Sequence, residues 1–357
     1  MWESLPQELL PQILGPWITV WAKLRLISKW YRALIDRLYL TVTDLGTEFV
    51  QMSDETLRQF PNLNVLCLES PRETWILNFL NASEPREILT LPVSTEALVR
   101  MSRLGTLWLD GYNIRDADLC QLTQLKLLQL KAVPNVTYRG LSTLTNLHTL
   151  TLVKLDSTLP HTFDLHTLCN LTALDTGLHH IEEGCLVPLT KLGRLRCREL
   201  PRLSKDNCLT QLVTLTPYGV TWENYHLHNL RVLLDEGGCV SDRDLLPMTS
   251  LQELHLGHNY LVTNKGFVNL VQLQKLTIAG DTFVPDRAIT DAGISHLTTL
   301  TDLNISDSRM ITANGLQHLT RLKILRFHEF ATIATTCHLL PFTIPRCCLT
   351  LSLRPPP

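Results

Sequence analysis

The sequence has little net charge, few aromatic residues and no closely spaced cysteine pair of the kind that binds zinc. Its 32 Lys and Arg residues nearly balance its 34 Asp and Glu residues, so the basic excess typical of nucleic-acid or anionic-membrane binding is missing. Aromatic residues make up 6% of the chain, so the core must be aliphatic. None of the ten cysteines forms a CxxC pair, which predicts reduced, buried thiols in a cytoplasmic or nuclear protein.

Membrane spans and catalytic motifs are missing as well. No run of 18 apolar residues occurs, and Pro11 and Pro16 interrupt the apolar N-terminal stretch, unlike a signal peptide. The sequence has no GxSxG, HExxH, GxxxxGK[ST] or GxGxxG motif. Three close histidine pairs occur, His179–His180, His226–His228 and His255–His258. They lack carboxylates or cysteines at ligand spacing, so we expect no enzyme activity, no metal and no cofactor.

Leucine is abundant and is arranged in a repeat. The pattern L-x-x-L-x-L, with conservative replacements, starts at Leu63, Leu104, Leu125, Leu147, Leu171, Leu192, Leu212, Leu230, Leu251, Leu273, Leu300 and Leu322. The gap between Leu63 and Leu104 leaves room for one degenerate repeat near Leu89 and Leu91. We therefore predict about 12–13 units, whose length is typical of short strand-and-helix repeats.

A second periodic signal keeps the same register. An Ile or Val stands 11 residues before the first leucine of the next unit at Ile114, Val136, Ile181, Val240, Val262, Ile289 and Ile311. Thr or Ser with Asp or Asn just after these anchors suits a helix N-cap. Each unit is thus predicted to be a short strand and a short helix. Because neither can bury its apolar face alone, stacked neighbours must share one leucine core.

The pattern resembles the leucine-rich-repeat family, in particular the subtype with ITDxGL units that is common in ubiquitin-ligase receptors. The resemblance covers roughly residues 57–327. It implies an α/β solenoid with parallel strands on the concave face and short helices on the convex face. The third apolar position is lost at Thr176, Pro217 and Asp235. We expect irregular repeats there, and a loosened strand near Pro217 because proline has no N–H to donate.

Residues 5–40 do not follow the repeat, and 21 of these positions are apolar. Their order resembles the F-box, a small all-α module that commonly precedes leucine-rich repeats. The matching residues are Leu5, Pro6, Glu8, Leu9, Ile13, Leu14, Leu24, Ile27 and Ser28. Trp17 and Trp21 stand where the family usually has leucine.

The F-box resemblance implies a substrate receptor of an SCF-type ubiquitin ligase. Such a receptor docks on the Skp adaptor of the cullin complex and holds a substrate protein with its solenoid. On family grounds the adaptor-binding residues are Leu5, Pro6, Ile13, Leu14, Leu24 and Ile27. The alternative is a non-degradative scaffold or inhibitor whose N-terminus only caps the first repeat, as solenoids require.

The predicted domains are an F-box-like module at residues 1–45, the solenoid at 46–328, and a C-terminal cap with a disordered tail at 329–357. The apolar run between Cys337 and Leu353 is expected to cover the last open repeat edge.

Strand side chains that alternate with the core leucines are expected on the concave face. The predicted partner-binding residues there are Trp108, Gln129, Asp175, Arg194, Arg196, Arg198, Tyr218, Glu236, His255 and Arg326. Three arginines, Arg194, Arg196 and Arg198, project from one strand, and such close like charges gain most from an acidic or phosphorylated partner. Pairing with Asp175 or Glu236, or simple solvation, also explains them.

Overall fold

The computed structural model describes residues 41–44, 53–58, 62–69, 89–133, 136–153, 165–177, 181, 183–198, 209, 211–218, 227–278, 289–305, 310–327 and 349–351. The chain divides into two compact units, Met1–Gly177 (unit 1) and Leu178–Pro357 (unit 2). All six predicted adaptor-binding residues, from Leu5 to Ile27, lie outside the described residues. The domain boundaries also stay a prediction.

Unit 1 is built on a parallel sheet in which each repeat contributes one strand. Along the sheet the described strands are β1 (Thr41–Asp44), β2 (Val65–Glu69), β4 (Thr106–Asp110), β6 (Leu127–Lys131), β7 (Thr149–Val153) and β8 (Ala173–Asp175). A separate short pair consists of β3 (Leu89–Thr90) and β5 (Tyr112–Asn113). The described helices are α1 (Asp54–Arg58), α2 (Thr95–Arg100), α3 (Asp116–Leu119) and α4 (Tyr138–Leu141).

Unit 2 repeats the same arrangement. Its described strands are all parallel and pair in chain order: β9 (Arg194–Cys197), β10 (Thr214–Pro217), β11 (Val232–Asp235), β12 (Glu253–Leu256), β13 (Lys275–Ile278), β14 (Asp302–Asn304), β15 (Ile324–Phe327) and β16 (Leu349–Leu351). The helices are α5 (Asp242–Leu245), α6 (Asp291–Ile294) and α7 (Ala313–Leu316), with 3₁₀ turns at Glu183–Leu186 and Asn264–Phe267.

The predicted core residues are buried in both units. The repeat leucines Leu107, Leu150 and Leu303 are 0% exposed, as is the anchor Val240, and every other anchor is at most 5% exposed. Burying one such side chain stabilises a fold by roughly 1.5–3 kcal/mol. Four cysteines, Cys67, Cys185, Cys197 and Cys239, also lie in this core. The prediction of a strand and a short helix packed around shared leucine rows is therefore confirmed.

The residues that follow each anchor link one repeat to the next. In unit 2, the backbone N–H and the hydroxyl of Thr312 both donate to the Asp291 carboxylate at 2.6 Å. Thr312 is the N-cap of α7 and Asp291 is the first residue of α6. Thr263 donates to Asp242 in the same way, with both distances 2.7 Å. Thr312 and Thr263 also accept hydrogen bonds from the N–H of Asn314 and of Lys265, so each threonine caps its own helical turn and connects it to the preceding helix.

Unit 1 contains the same links. Thr137 donates its N–H to Asp116 at 2.8 Å, and its hydroxyl contacts the same carboxylate. Ser94 donates its N–H and its hydroxyl to Asp54, both at 2.6 Å. These two hydrogen bonds lower the pKa of Asp54 below its ordinary value, since they favour the charged carboxylate.

The glycine of the ITDxGL pattern follows from the same packing. A Cβ added at Gly315 would lie 2.9 Å from the Cα of Asp291, and a Cβ at Gly140 would lie 2.9 Å from the Cα of Asp116. Because these neighbours are backbone atoms, a side-chain rotation cannot remove the clash. Only glycine allows the first turns of successive helices to approach so closely.

The expectation of a degenerate repeat near Leu89 needs correction. No strand of a degenerate repeat lies between β2 and β4, because the two pair directly at five positions from Val65–Thr106 to Glu69–Asp110. Leu89 instead pairs with Tyr112 in the separate β3–β5 sheet.

The strand at Pro217 is loosened on one side only. β10 pairs with β9 as far as Pro217, whereas its pairing with β11 ends at Leu215. Proline has no N–H to donate to a sheet.

Thr176 and Asp235, the other two departures from the pattern, are 0% exposed, so their side chains still occupy the core position.

We predict that Gly315→Ala destabilises the protein, although Gly→Ala in a helix ordinarily stabilises it by about 1 kcal/mol. The added methyl group must displace the backbone at Asp291, so the free energy of unfolding should fall by about 1–3 kcal/mol. Urea unfolding followed by circular dichroism measures this. Asn314→Ala, at an exposed position of the same helix, is the control and should change stability little. A Gly315→Ala protein as stable as wild type would contradict the packing.

Candidate functional site

The side chains that alternate with the buried leucines form an exposed strand face in unit 2. In β9, Leu195 and Cys197 are buried while Arg194 and Arg196 are exposed. We define the strand face of unit 2 as the exposed or half-buried side chains of β9–β15 together with Arg198, Tyr218 and Glu236, which directly follow β9, β10 and β11.

The pairing register brings the predicted central column together. Arg196 pairs with Thr216 between β9 and β10. From β11 onward the aligned residues are Leu234, His255, Thr277, Asn304 and Arg326. The column is therefore continuous across β11–β15, and its role in partner binding stays a prediction.

Three predicted partner-binding residues lie in unit 1 and are aligned with each other there. Trp108 pairs with Gln129, Gln129 with Thr151, and Thr151 with Asp175. The Trp108 ring is half-buried, and its Nε1 is a buried donor with no hydrogen-bond acceptor among the described residues. Asp175 accepts a hydrogen bond from the Gly177 N–H at 2.8 Å. Trp108, Gln129 and Asp175 therefore lie in unit 1, and the other seven predicted partner-binding residues lie in unit 2.

Arg196 is held by two side chains from different strands. Its Nη2 lies 3.1 Å from Oε2 of Glu236, and its guanidinium carbon lies 4.9 Å from the centre of the Tyr218 ring. A cation over an aromatic face is attracted by the ring quadrupole. The side chain therefore extends from β9 past Tyr218 to Glu236. The structure therefore contains the Arg196–Glu236 ion pair, which the sequence left open as one explanation for the arginines.

The other two arginines of β9 lie beside this contact. Arg194 and Arg198 are both exposed, and Arg194 has no ion-pair partner in the part of the chain that the structure describes. Because only 3.2–3.4 Å of strand separates consecutive residues, the three arginines form a dense positive row.

Further ion pairs cross the strand face towards β15. Lys275 Nζ lies 3.4 Å from Oε2 of Glu253, and Arg326 Nη1 lies 2.6 Å from Oδ1 of Asp302. Each pair joins neighbouring strands, and both are solvent-accessible, so each contributes little to stability. These pairs place opposite charges next to each other on β12–β15, whereas the charged residues of β9 are all positive. Sequence inspection missed Asp302, because its partner is 24 residues away.

A buried polar cluster is centred on Asp235, the residue before Glu236. Asp235 accepts hydrogen bonds from the N–H of Cys239 at 2.9 Å and of Val240 at 3.3 Å. The Asn259 amide also donates to Asp235 and, at 2.7 Å, to the carbonyl of Val240. The Asn259 carbonyl accepts from the N–H of Leu261 at 2.8 Å and of Val262 at 2.9 Å. These bonds satisfy the backbone of the turns that follow β11 and β12.

Sequence inspection missed Asn259, although a signal for it exists. It stands three residues after Leu256, the asparagine position of the extended L-x-x-L-x-L-x-x-N pattern. Asp235 was seen only as a loss of a core leucine. In the structure the Asp235 carboxylate accepts hydrogen bonds from N–H groups of the following turn. These N–H groups would otherwise be buried without partners.

The described residues contain neither a candidate metal site nor a candidate membrane span. Among the described residues, no three His, Cys, Asp or Glu side chains are close enough to hold a metal ion. Across the same part of the chain, no helix has the length and apolar character needed to cross a membrane.

Asp235→Leu restores the repeat pattern, yet we predict that it destabilises the protein. It leaves the N–H groups of Cys239 and Val240 and the Asn259 amide without their acceptor, and each buried unsatisfied group costs about 1–3 kcal/mol. Chemical unfolding should show a loss of at least about 2 kcal/mol. Asp302→Leu, a solvent-accessible aspartate of the same unit, should change stability by under about 1 kcal/mol. An Asp235→Leu protein of unchanged stability would disprove the role given to this carboxyl group.

Comparisons with known proteins show the fold. No protein-family profile matches the chain, and no curated protein matches its sequence. An internalin from Listeria monocytogenes has a similar solved structure, with 19% identity, 86% of this chain and 94% of the internalin covered, and a TM-score of 0.54. TLR13 in its complex with ssRNA13 has 16% identity, 85% and 50% coverage and a TM-score of 0.50. A leucine-rich-repeat protein of Leptospira interrogans has 16% identity, 91% and 86% coverage and a TM-score of 0.47. The chain thus has the fold of a leucine-rich-repeat solenoid.

Proposed function

We propose that the protein is the substrate receptor of an SCF-type ubiquitin ligase, a protein-binding component without catalytic activity or cofactor. The observation that carries the binding half of this proposal is the strand face of unit 2. It presents charged and aromatic side chains on neighbouring strands, aligned in register across β11–β15, on a base of buried leucines. Such a rigid, open row of side chains suits the binding of an extended polypeptide.

The adaptor half of the proposal is supported by residue order in the N-terminal segment. Leu5-Pro6-x-Glu8-Leu9 and the later Ile13, Leu14, Leu24 and Ile27 follow the F-box pattern. So many apolar residues in a short segment exceed what one packed face can bury. We propose that the excess contacts the Skp adaptor and through it the cullin complex.

One observation favours the alternative, a non-degradative scaffold or inhibitor whose N-terminus is a cap. β1 pairs with β2 through all four residues from Thr41 to Asp44, so the chain joins the sheet directly after the N-terminal segment. A cap must lie close to the first strand, and this arrangement permits it. The two functions differ in whether the N-terminal segment binds the adaptor.

The partner held on the strand face is proposed to be a protein, with an acidic or phosphorylated segment, and not nucleic acid. The three arginines of β9 provide positive charge, but Glu236, Glu253 and Asp302 share the same face. A continuous polyanion would meet these carboxylates along with the arginines. A short anionic segment can contact the arginines alone.

We predict that replacing Leu5, Pro6 and Ile13 together by Ala abolishes co-purification with the Skp adaptor. The substitutions remove large apolar contacts, each worth roughly 1.5–3 kcal/mol when buried. Affinity purification from cells followed by immunoblotting for the adaptor measures the loss, which should exceed tenfold.

Arg326→Gln, a change on the strand face of unit 2, is the matched control and should leave adaptor recovery unchanged. Thermal unfolding of the triple variant should match that of wild type. Full adaptor recovery by the triple variant would contradict the proposed function. If deletion of residues 1–40 unfolds the repeats and the wild-type chain recovers no adaptor, the cap alternative is correct.

A further inference from the structure

The Arg196–Glu236 contact joins the positive row of β9 to a carboxylate of the same chain. Both side chains are well exposed, at 44% for Arg196 and 40% for Glu236. An ion pair exposed to this degree contributes about 0.2–1 kcal/mol. An external carboxylate can therefore exchange with Glu236 at little cost.

The Tyr218 ring fixes where the exchange would occur. The guanidinium lies 4.9 Å from the ring centre, so Arg196 is attracted to the ring face as well as to Glu236. Glu236 in turn directly follows Asp235, whose carboxyl group is anchored by turn donors. Arg196 therefore has a contact that does not involve Glu236, and this contact favours a guanidinium already placed for a new anion.

We propose that Glu236 is an internal competitor at a binding site for an acidic segment of a partner protein. In the absence of the partner, the Glu236 carboxylate binds Arg196. When the partner is bound, one of its carboxylates takes this place, and further carboxylates bind Arg194 and Arg198. This inference rests on the proposed function in assigning partner binding to the strand face.

Two observations favour a carboxylate-bearing peptide over other anions. The group that Arg196 binds in the structure is a carboxylate, at 3.1 Å. Arg194 and Arg196 stand at alternate positions of β9, with Arg198 directly after the strand, and side chains at alternate positions of an extended peptide are spaced like the first two, roughly 6.6 Å apart. A segment with acidic residues at alternate positions therefore matches the row.

The test uses the full-length protein and a labelled peptide in which glutamates alternate with serines. A peptide with glutamines in place of the glutamates is the uncharged counterpart. Fluorescence anisotropy at low ionic strength measures both affinities, because salt screens exposed charges. We expect binding of the glutamate peptide only. Glu236→Gln should tighten that binding by about two- to fivefold, which corresponds to the loss of one exposed competing ion pair.

The variant with Arg194→Gln and Arg198→Gln should weaken binding of the glutamate peptide at least tenfold. Arg243→Gln is the matched control, since it removes an exposed arginine of helix α5 in the same unit, and it should have little effect. Circular dichroism must show that all variants are folded.

Several results would overturn the inference. These are no binding of the glutamate peptide, no gain with Glu236→Gln, or an equal loss with Arg243→Gln. Preferential binding of a phosphoserine peptide or of oligouridine would also reject a carboxylate-bearing partner. Adaptor recovery in the purification assay does not depend on these residues, so failure here leaves the ligase proposal intact. Conversely, if the purification assay contradicts adaptor binding, the peptide measurements stay valid.

Discussion

The structure depends on the fact that no single repeat can bury its own leucines. A strand of three to five residues and a helix of four to six have too little surface to enclose an apolar core. Each repeat therefore covers the leucines of its neighbours. In this arrangement one set of strand side chains faces the leucine core, and the alternate set stays exposed. Stacking of the repeats thus produces the core and the candidate binding surface together.

Polar links between repeats add geometric precision to this stacking. The apolar rows favour contact but do not specify distance, whereas Thr312 and Asp291, or Thr263 and Asp242, hydrogen-bond only at one separation of their helices. The glycine at the third helical position allows that separation. Because the strands are connected to these helices by short turns, a fixed helix spacing also fixes the register of the strand face. The positions of Arg196, Tyr218 and Glu236 relative to one another follow from the pairing of β10 with β9 and with β11.

Sequence reasoning found the features that repeat along the chain. The leucine rows and the seven anchors were correctly placed because a fixed residue order generates the periodicity. The same reasoning assigned a degenerate repeat near Leu89, which forms a two-residue strand of another sheet. It also treated Asp235 as a defect. A pattern identifies which positions are apolar, but it shows neither which sheet a short apolar segment such as Leu89 joins nor how a polar residue such as Asp235 satisfies buried donors.

Contacts within the candidate site were harder to predict than the fold. Arg196 and Glu236 are 40 residues apart, and their contact passes over an intervening strand, so only the assembled register brings them together. The sequence therefore offered pairing with Asp175, pairing with Glu236 and solvation as equal possibilities. The Thr–Asp links were visible only as N-caps, since the acceptor lies in the preceding repeat, 21 residues earlier for Thr312.

The central claim is that a partner protein binds the strand face of unit 2. Site-specific photo-cross-linking tests it directly, with the reactive residue placed either at His255 in β12 or at Val268, an exposed position after the Asn264–Phe267 turn. The account predicts that a photo-cross-linker at His255 captures a protein partner in cells and that one at Val268 does not. Capture of the same partner from Val268 alone would place binding on the helix side and contradict the account.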